Sequence, residues 1–198
     1  MRKSTVKRKT NETAISLKVN LDGDKNIKIS SPIEFFNHML KSLSFYSSLD
    51  INLNIKGDIQ TGAHHTVEDT GFVLGKAIEK ALKGKKGIKR SAFNYLCMDE
   101  VLIRTVIDFG GRSELDFNCR FNSLRCGDFK NSLTEEFFRA FVRGAKVNLH
   151  IDLIKDGNDH HKIEAIFKSV GLSIKEAVKI EGEKVPSTKG VLDYDRNN

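Results

Sequence analysis

Proline occurs only twice in the 198 residues, cysteine three times, and no apolar run approaches the length of a membrane span. Each scarcity excludes something. Without long apolar runs the chain is not expected to cross a bilayer. Three cysteines (Cys97, Cys119 and Cys126), odd in number and forming no CxxC pair, argue against a disulfide framework and for a reducing, cytoplasmic setting. Two prolines beside 13 phenylalanines and 39% hydrophobic residues exclude a collagen-like or disordered composition and leave enough apolar mass for a packed core. The basic start, MRKSTVKRKT, has no apolar stretch behind it and does not read as a secretory leader.

The net charge is +7, but Arg2, Lys3, Lys7, Arg8 and Lys9 supply five of those charges, which leaves +2 for the rest. The expectation is a mobile basic tail over 1–9 rather than a nucleic-acid surface. A short tail of the same kind is expected over 193–198.

The chain repeats itself. His64-His65-Thr66-Val67-Glu68 returns as His160-His161-Lys162-Ile163-Glu164. The alternating run Leu49, Ile51, Leu53, Ile55 returns in register as Val147, Leu149, Ile151, Leu153. Period-two alternation marks half-buried strands. A helix with Phe36, Leu40 and Leu43 on one face precedes the first strand, and Leu133, Phe137, Phe141 and Ala145 mark its counterpart. Ser31-Pro32-Ile33-Glu34 resembles a capping box. Each HHxxE motif opens another amphipathic helix, with Val67, Gly71, Leu74 and Ile78 on one face in the first and Ile163, Phe167, Val170 and Ile174 in the second. Two strand-like runs precede each unit, joined at Asp22-Gly23 and Gly110-Gly111, which read as hairpin turns. The expected fold is α+β: two duplicated β-β-α-β-α half-domains, 10–90 and 91–192. Each is a small sheet with helices on one face, and the two pack helix layer to helix layer.

Residues four apart share a helix face, so His64 neighbours Glu68 and His160 neighbours Glu164. The second histidine of each pair is rotated about 100° away. A duplicated motif of this kind predicts two metal sites, each drawing ligands from both halves. Imidazole and carboxylate without thiolate suit Mn, Fe, Co or Zn. His38 and Glu136 occupy equivalent places in the other helix of each half and join the candidate ligands. His150 lies on the polar face of a strand and reads as structural.

Six motifs then resemble one family. They are FFNHML at 35–40, HHTVEDT at 64–70, MDE at 98–100, GGR at 110–112, NDHHKIEAIFK at 158–168 and PSTKGVL at 186–192. In this order they resemble the imidazoleglycerol-phosphate dehydratases of histidine biosynthesis, from Asn11-Glu12-Thr13 to Leu192. The resemblance implies loss of water from D-erythro-imidazole-glycerol phosphate to give imidazole acetol phosphate. It implies two manganese ions, one on His38, His65, His160 and Glu164, the other on His64, Glu68, His161 and Glu136. It implies Glu12 as acid/base, with His65, His160 and Glu164 at the reacting centre, and Arg90, Arg112, Lys168, Ser187, Thr188 and Lys189 as substrate contacts. A 24-subunit assembly with active sites between subunits belongs to the same expectation, as does the absence of nucleic-acid and membrane partners. Three positions and one short stretch depart from the family pattern. Glu136 and Tyr46 stand where histidine is common, Asn37 where aspartate is common, and Thr61-Gly62-Ala63 is less acidic than usual. Two other readings follow from the residues alone: a dinuclear-metal hydrolase acting on a phosphorylated small molecule, and a basic nucleic-acid-binding module.

Overall fold

The structure, a computed structural model, describes residues 1–60 and 62–192. Fourteen elements follow one another: β1 (Lys3–Lys9), β2 (Thr13–Asn20), β3 (Ile27–Ser30), α1 (Glu34–Ser47), β4 (Asp50–Gly57), α2 (His64–Leu82), β5 (Ser91–Met98), β6 (Val101–Asp108), β7 (Glu114–Asn118), β8 (Arg125–Cys126), β9 (Phe129–Lys130), α3 (Leu133–Ala145), β10 (Asn148–Lys155) and α4 (Asp159–Ala177). They build two four-stranded sheets of matching order, β1-β2-β4-β3 and β5-β6-β10-β7. In each, the first three neighbours run antiparallel and the last pair runs parallel. The duplication and the α+β layering expected from the sequence are both present.

The alternation explains the layers. Leu49, Ile51, Leu53 and Ile55 turn inward at 3% exposure or less, and so do Val147, Leu149 and Ile151 in the second half. The helices of one half then cover those of the other, α1 lying on α4 and α2 on α3. A side chain at Gly75 would sit 2.2 Å from the Phe141 carbonyl oxygen, and one at Gly144 equally close to that of Phe72. Backbone therefore meets backbone between α2 and α3, which only glycine permits at both places. Around this contact Phe137 stacks on Phe167 at 5.1 Å and meets Phe36 edge-on at 5.5 Å, all fully buried. Each such ring contributes roughly 1.5–3 kcal/mol by leaving water.

Four expectations are corrected. Each half lays down three strands of its four-stranded sheet before its first helix, not two, and the second half adds the short β8–β9 ladder. Residues 1–9 are not a tail: Lys3–Lys9 pair with β2 along their whole length. Val6 is buried, Ser4 Oγ donates to the Ala77 carbonyl at 2.6 Å, and Arg2 meets Asp22 at 2.6 Å. The lysines suit an edge strand, where charge discourages pairing with other chains. Asp22-Gly23 and Gly110-Gly111 do not close hairpins, because β3 and β7 cross over to pair in parallel with β4 and β10. Ser31 does not cap α1. The carboxylate of Asp128, from the other half, accepts from the Glu34 and Phe35 amides at 2.6 and 3.0 Å. The expected C-terminal tail, 193–198, lies outside the described residues, as does Thr61.

Candidate active site

The helix pairing brings α1 and α4 together, and with them three of the expected ligands. His38 Nε2 lies 3.3 Å from Glu164 Oε2, and His160 Nε2 lies 3.2 Å from the same oxygen. One ligand atom from each of the three falls within 4.8 Å of the others. Successive turns of α4 carry His160, Glu164 and Lys168, so the Lys168 ammonium reaches Glu164 Oε1 at 2.8 Å. Burial resists ionisation of Glu164, but Lys168 and His38 outweigh it and hold the carboxyl below its ordinary range. The rings of His38 and His160 stay about half exposed while Glu164 is buried. Phe35 packs edge-on against His160 at 5.1 Å and limits its rotation. The donor set is two imidazoles and one ionised carboxylate facing open space. It fits a first-row divalent cation that keeps exchangeable positions.

His65, expected with this set, lies elsewhere. On α2 its Nδ1 is 3.0 Å from Glu12 Oε2 at the tip of the β1–β2 hairpin. About 100° round the same helix, His64 Nε2 is 3.7 Å from Glu68 Oε2, and Arg143 of α3 donates to the other Glu68 oxygen. Glu136 stands on the same helix seven residues before Arg143, close to two full turns and so on the same face.

His161 belongs to a third group. Its Nδ1 is 3.0 Å from Glu100 Oε2, its Nε2 3.6 Å from Asp99 Oδ2. Glu100 is fixed in turn by the Asn158 amide, which donates to Oε1 at 2.6 Å; this bond, with help from its own amide and His161, pulls its carboxyl down to about 2. Neither expected set of four is assembled among the described residues of one chain. One set has three members together; the other has His64 and Glu68 as a pair, with His161 held apart by Asp99 and Glu100.

The expected phosphate contacts gather at the other end. Arg90, Arg112, Ser187, Thr188 and Lys189 line one cleft. Arg90 is already engaged there: it forks onto Asp108 at 2.7 and 3.0 Å and donates to the Pro186 carbonyl at 2.9 Å, which fastens the 186–190 loop. Arg112 follows Gly111, whose φ of 87° turns the chain into the cleft. Lys168 is not part of this group; it stays with Glu164 and lies 5.5 Å from the Tyr46 ring centre. Asn37 does not support His38, since its amide donates to the Ser31 carbonyl instead. His150 pairs with Asp116 at 3.2 Å on the outer sheet face.

Asp99, Glu100 and Arg143 were not among the residues expected from sequence. The MDE motif contained a signal for the first two, but its partner His161 is 61 residues on from Glu100. Nothing local pointed to Arg143, which meets Glu68 only because α2 packs on α3. A roomy groove on the outer face of the first sheet, lined by Lys3, Lys18, Lys28 and Asn52, carries no histidine and lies away from both HHxxE motifs.

A family model for imidazoleglycerol-phosphate dehydratase matches residues 31–174. A protein of that name from Caldicellulosiruptor bescii is 48% identical over 191 residues, 96% of this chain and 98% of the relative. Another, from Thermodesulfovibrio yellowstonii, is 46% identical over 192 residues, 97% of this chain and all of the relative. The crystal structure of the Staphylococcus aureus dehydratase superposes with a TM-score of 0.81 at 36% identity, covering 90% of this chain and 99% of that one. The Pyrococcus furiosus structure gives 0.82 at 29% identity over 94% of this chain and all of that one. The motifs, the duplicated fold and these matches agree, and the chain belongs to the imidazoleglycerol-phosphate dehydratase family.

Proposed function

We propose that this chain is a manganese-dependent hydro-lyase. It removes water from D-erythro-imidazole-glycerol phosphate and yields imidazole acetol phosphate in histidine biosynthesis, in the cytoplasm. The observation that carries the reading is the convergence of His38, His160 and Glu164 from the two repeats, in a member of this family.

His38, His65, His160 and Glu164 would hold one manganese ion, and His64, Glu68, His161 and Glu136 the other. Bound there, manganese would lower the pKa of a nitrogen ligand and stabilise the substrate imidazole as its anion. The rest falls to the chain. Arg112, Ser187 and Lys189 bind the phosphate and fix the glycerol side chain, with Arg90 holding their loop. Glu12, beside His65, exchanges a proton with that side chain: the hydroxyl leaves as water, the carbon-bound proton then comes off, and the resulting enol becomes the ketone. Lys168 keeps Glu164 ionised for its ligand role.

His65 and Glu12 sit away from the His38, His160 and Glu164 group within one chain. This supports a site completed between copies, and with it the 24-subunit assembly of the resemblance. Purified protein incubated with manganese and imidazoleglycerol phosphate should form imidazole acetol phosphate. Release of inorganic phosphate without that product would favour the hydrolase reading and sink this one. Chelation should weaken the assembly, because ligands shared across subunits link metal binding to association; unchanged sedimentation after metal removal would count against shared sites.

A further inference from the structure

The tip of the first hairpin is bound to α2 by a group outside every set named so far. Asp69 lies one turn after His65 on α2, on the same face. Its Oδ1 accepts from Arg8 Nε of β1 at 2.8 Å, and its Oδ2 accepts from Thr13 Oγ1 of β2 at 2.6 Å. One carboxylate thus grips both strands, one on each side of the turn that carries Glu12. The turn is closed from within. Thr10 Oγ1 accepts from the Glu12 and Thr13 amides at 3.2 and 2.9 Å, and the Asp58 amide donates to the Glu12 carbonyl at 3.0 Å. Thr13 is buried and Asp69 largely so, which keeps water from competing for the Thr13 bond. The Arg8 guanidinium is also held from below by the Phe72 ring, 5.8 Å away.

Two anchors on one helix therefore fix the acid/base candidate: His65 faces its carboxylate, and one turn on Asp69 fixes its backbone. We infer that Asp69 is a positioning residue, which sets where the Glu12 carboxylate stands by clamping Arg8 and Thr13 to α2. It touches no reacting atom. The inference rests on the assignment of Glu12 in the proposed function. It also gives β1 a task in catalysis, because Arg8 is half of the clamp.

The test is a double-mutant cycle on the full, manganese-loaded protein. Asp69→Asn keeps the shape but removes the charge that Arg8 needs. It should lower kcat by about 10- to 100-fold, the usual consequence of a catalytic group displaced by up to about an ångström, with KM changed less than about twofold because the phosphate cleft is untouched. Bound manganese per subunit should be unchanged. In a Glu12→Gln background the same Asp69 change should cost almost nothing, since there is no carboxylate left to place. An equal loss in both backgrounds would overturn the inference and make Asp69 a general support of the fold. Loss of manganese on Asp69→Asn would overturn it as well. Full turnover in Glu12→Gln alone would instead remove the Glu12 assignment, and the positioning role with it. If Asp69→Asn fails to fold, Arg8→Met cuts one arm of the clamp from its exposed side. It should show a smaller fall with the same dependence on Glu12; independence from Glu12 would again overturn the inference.

Discussion

The two HHxxE motifs are copies in sequence but differ in how they are held. The second begins on a built base. Asn158 caps α4 by accepting from the His160 amide at 2.9 Å. Next to it the buried carboxylate of Asp159 accepts from the Ser123 amide and hydroxyl at 2.6 Å each and meets Lys162 at 2.9 Å. The first motif begins on Gly62-Ala63, and Ala63 offers no side-chain cap. The carboxylates differ in the same way. Glu164 is buried and takes its cation from Lys168 on its own helix; Glu68 is a third exposed and takes its cation from Arg143 on the facing helix. The repeat shows how this arose. Phe72 stands at the place of Lys168, and Phe45 at the place of Arg143. Each half keeps one cation beside its motif carboxylate but takes it from a different helix, so charge balance is common to both halves while residue position is not.

The largest effect should come from the base of the second motif. Lys162 is fully buried between Asp156 and Asp159. Asp159→Asn leaves that ammonium with the Arg120 carbonyl and one exposed carboxylate, Asp156, and should cost about 3 kcal/mol by urea unfolding, the scale of a broken buried pair. Burial resists ionisation of Asp159, yet the Ser123 and Lys162 bonds bring its carboxyl down from 3.8 to about 2. A lowered carboxyl lends stability above its unfolded value and loses it as pH falls through the folded one. The parent should therefore weaken between pH 3.8 and about 2 by a step that the variant lacks. Equal acid profiles would show that Asp159 does not anchor this half. The next effect down is Lys168→Met. It leaves Glu164 buried with only imidazoles beside it and should cost about 2 kcal/mol in metal-free protein. A loss no larger than that of a surface pair would mean that the histidines alone balance Glu164.

Much of this difference could not be read along the chain. The duplication, the helices opened by His64 and His160, and the buried faces of β4 and β10 follow from period and spacing, and they are where the pattern put them. The strands β1 and β5 escaped because each buries a single residue, Val6 and Ala92, so neither shows alternation strong enough to outweigh charge or polarity. The crossovers escaped because Asp-Gly and Gly-Gly report a turn, not the partner of the next strand. At the site, His160–Glu164 is local and was legible. The Glu12–His65, Glu100–His161 and Arg143–Glu68 contacts join distant segments and depend on sheet order and helix pairing. The Asp128 cap of α1 is of the same kind, reaching across 94 residues.

The smallest expected effect is the sharpest test of the cation swap. Arg143 is half exposed and Glu68 a third exposed, so water and salt screen the pair. Arg143→Met should cost less than about 1 kcal/mol, and less still at high ionic strength. Phe72→Lys in that background places a lysine four residues after Glu68, the spacing by which Lys168 serves Glu164. If a cation beside the motif carboxylate is what both halves require, the added lysine should return most of the loss, and the return should fade with salt as the original pair does. Persistent destabilisation at every salt concentration would point to the lost packing of Phe72 under Arg8 rather than to charge. The two halves would then differ in what they need, and not only in where they obtain it.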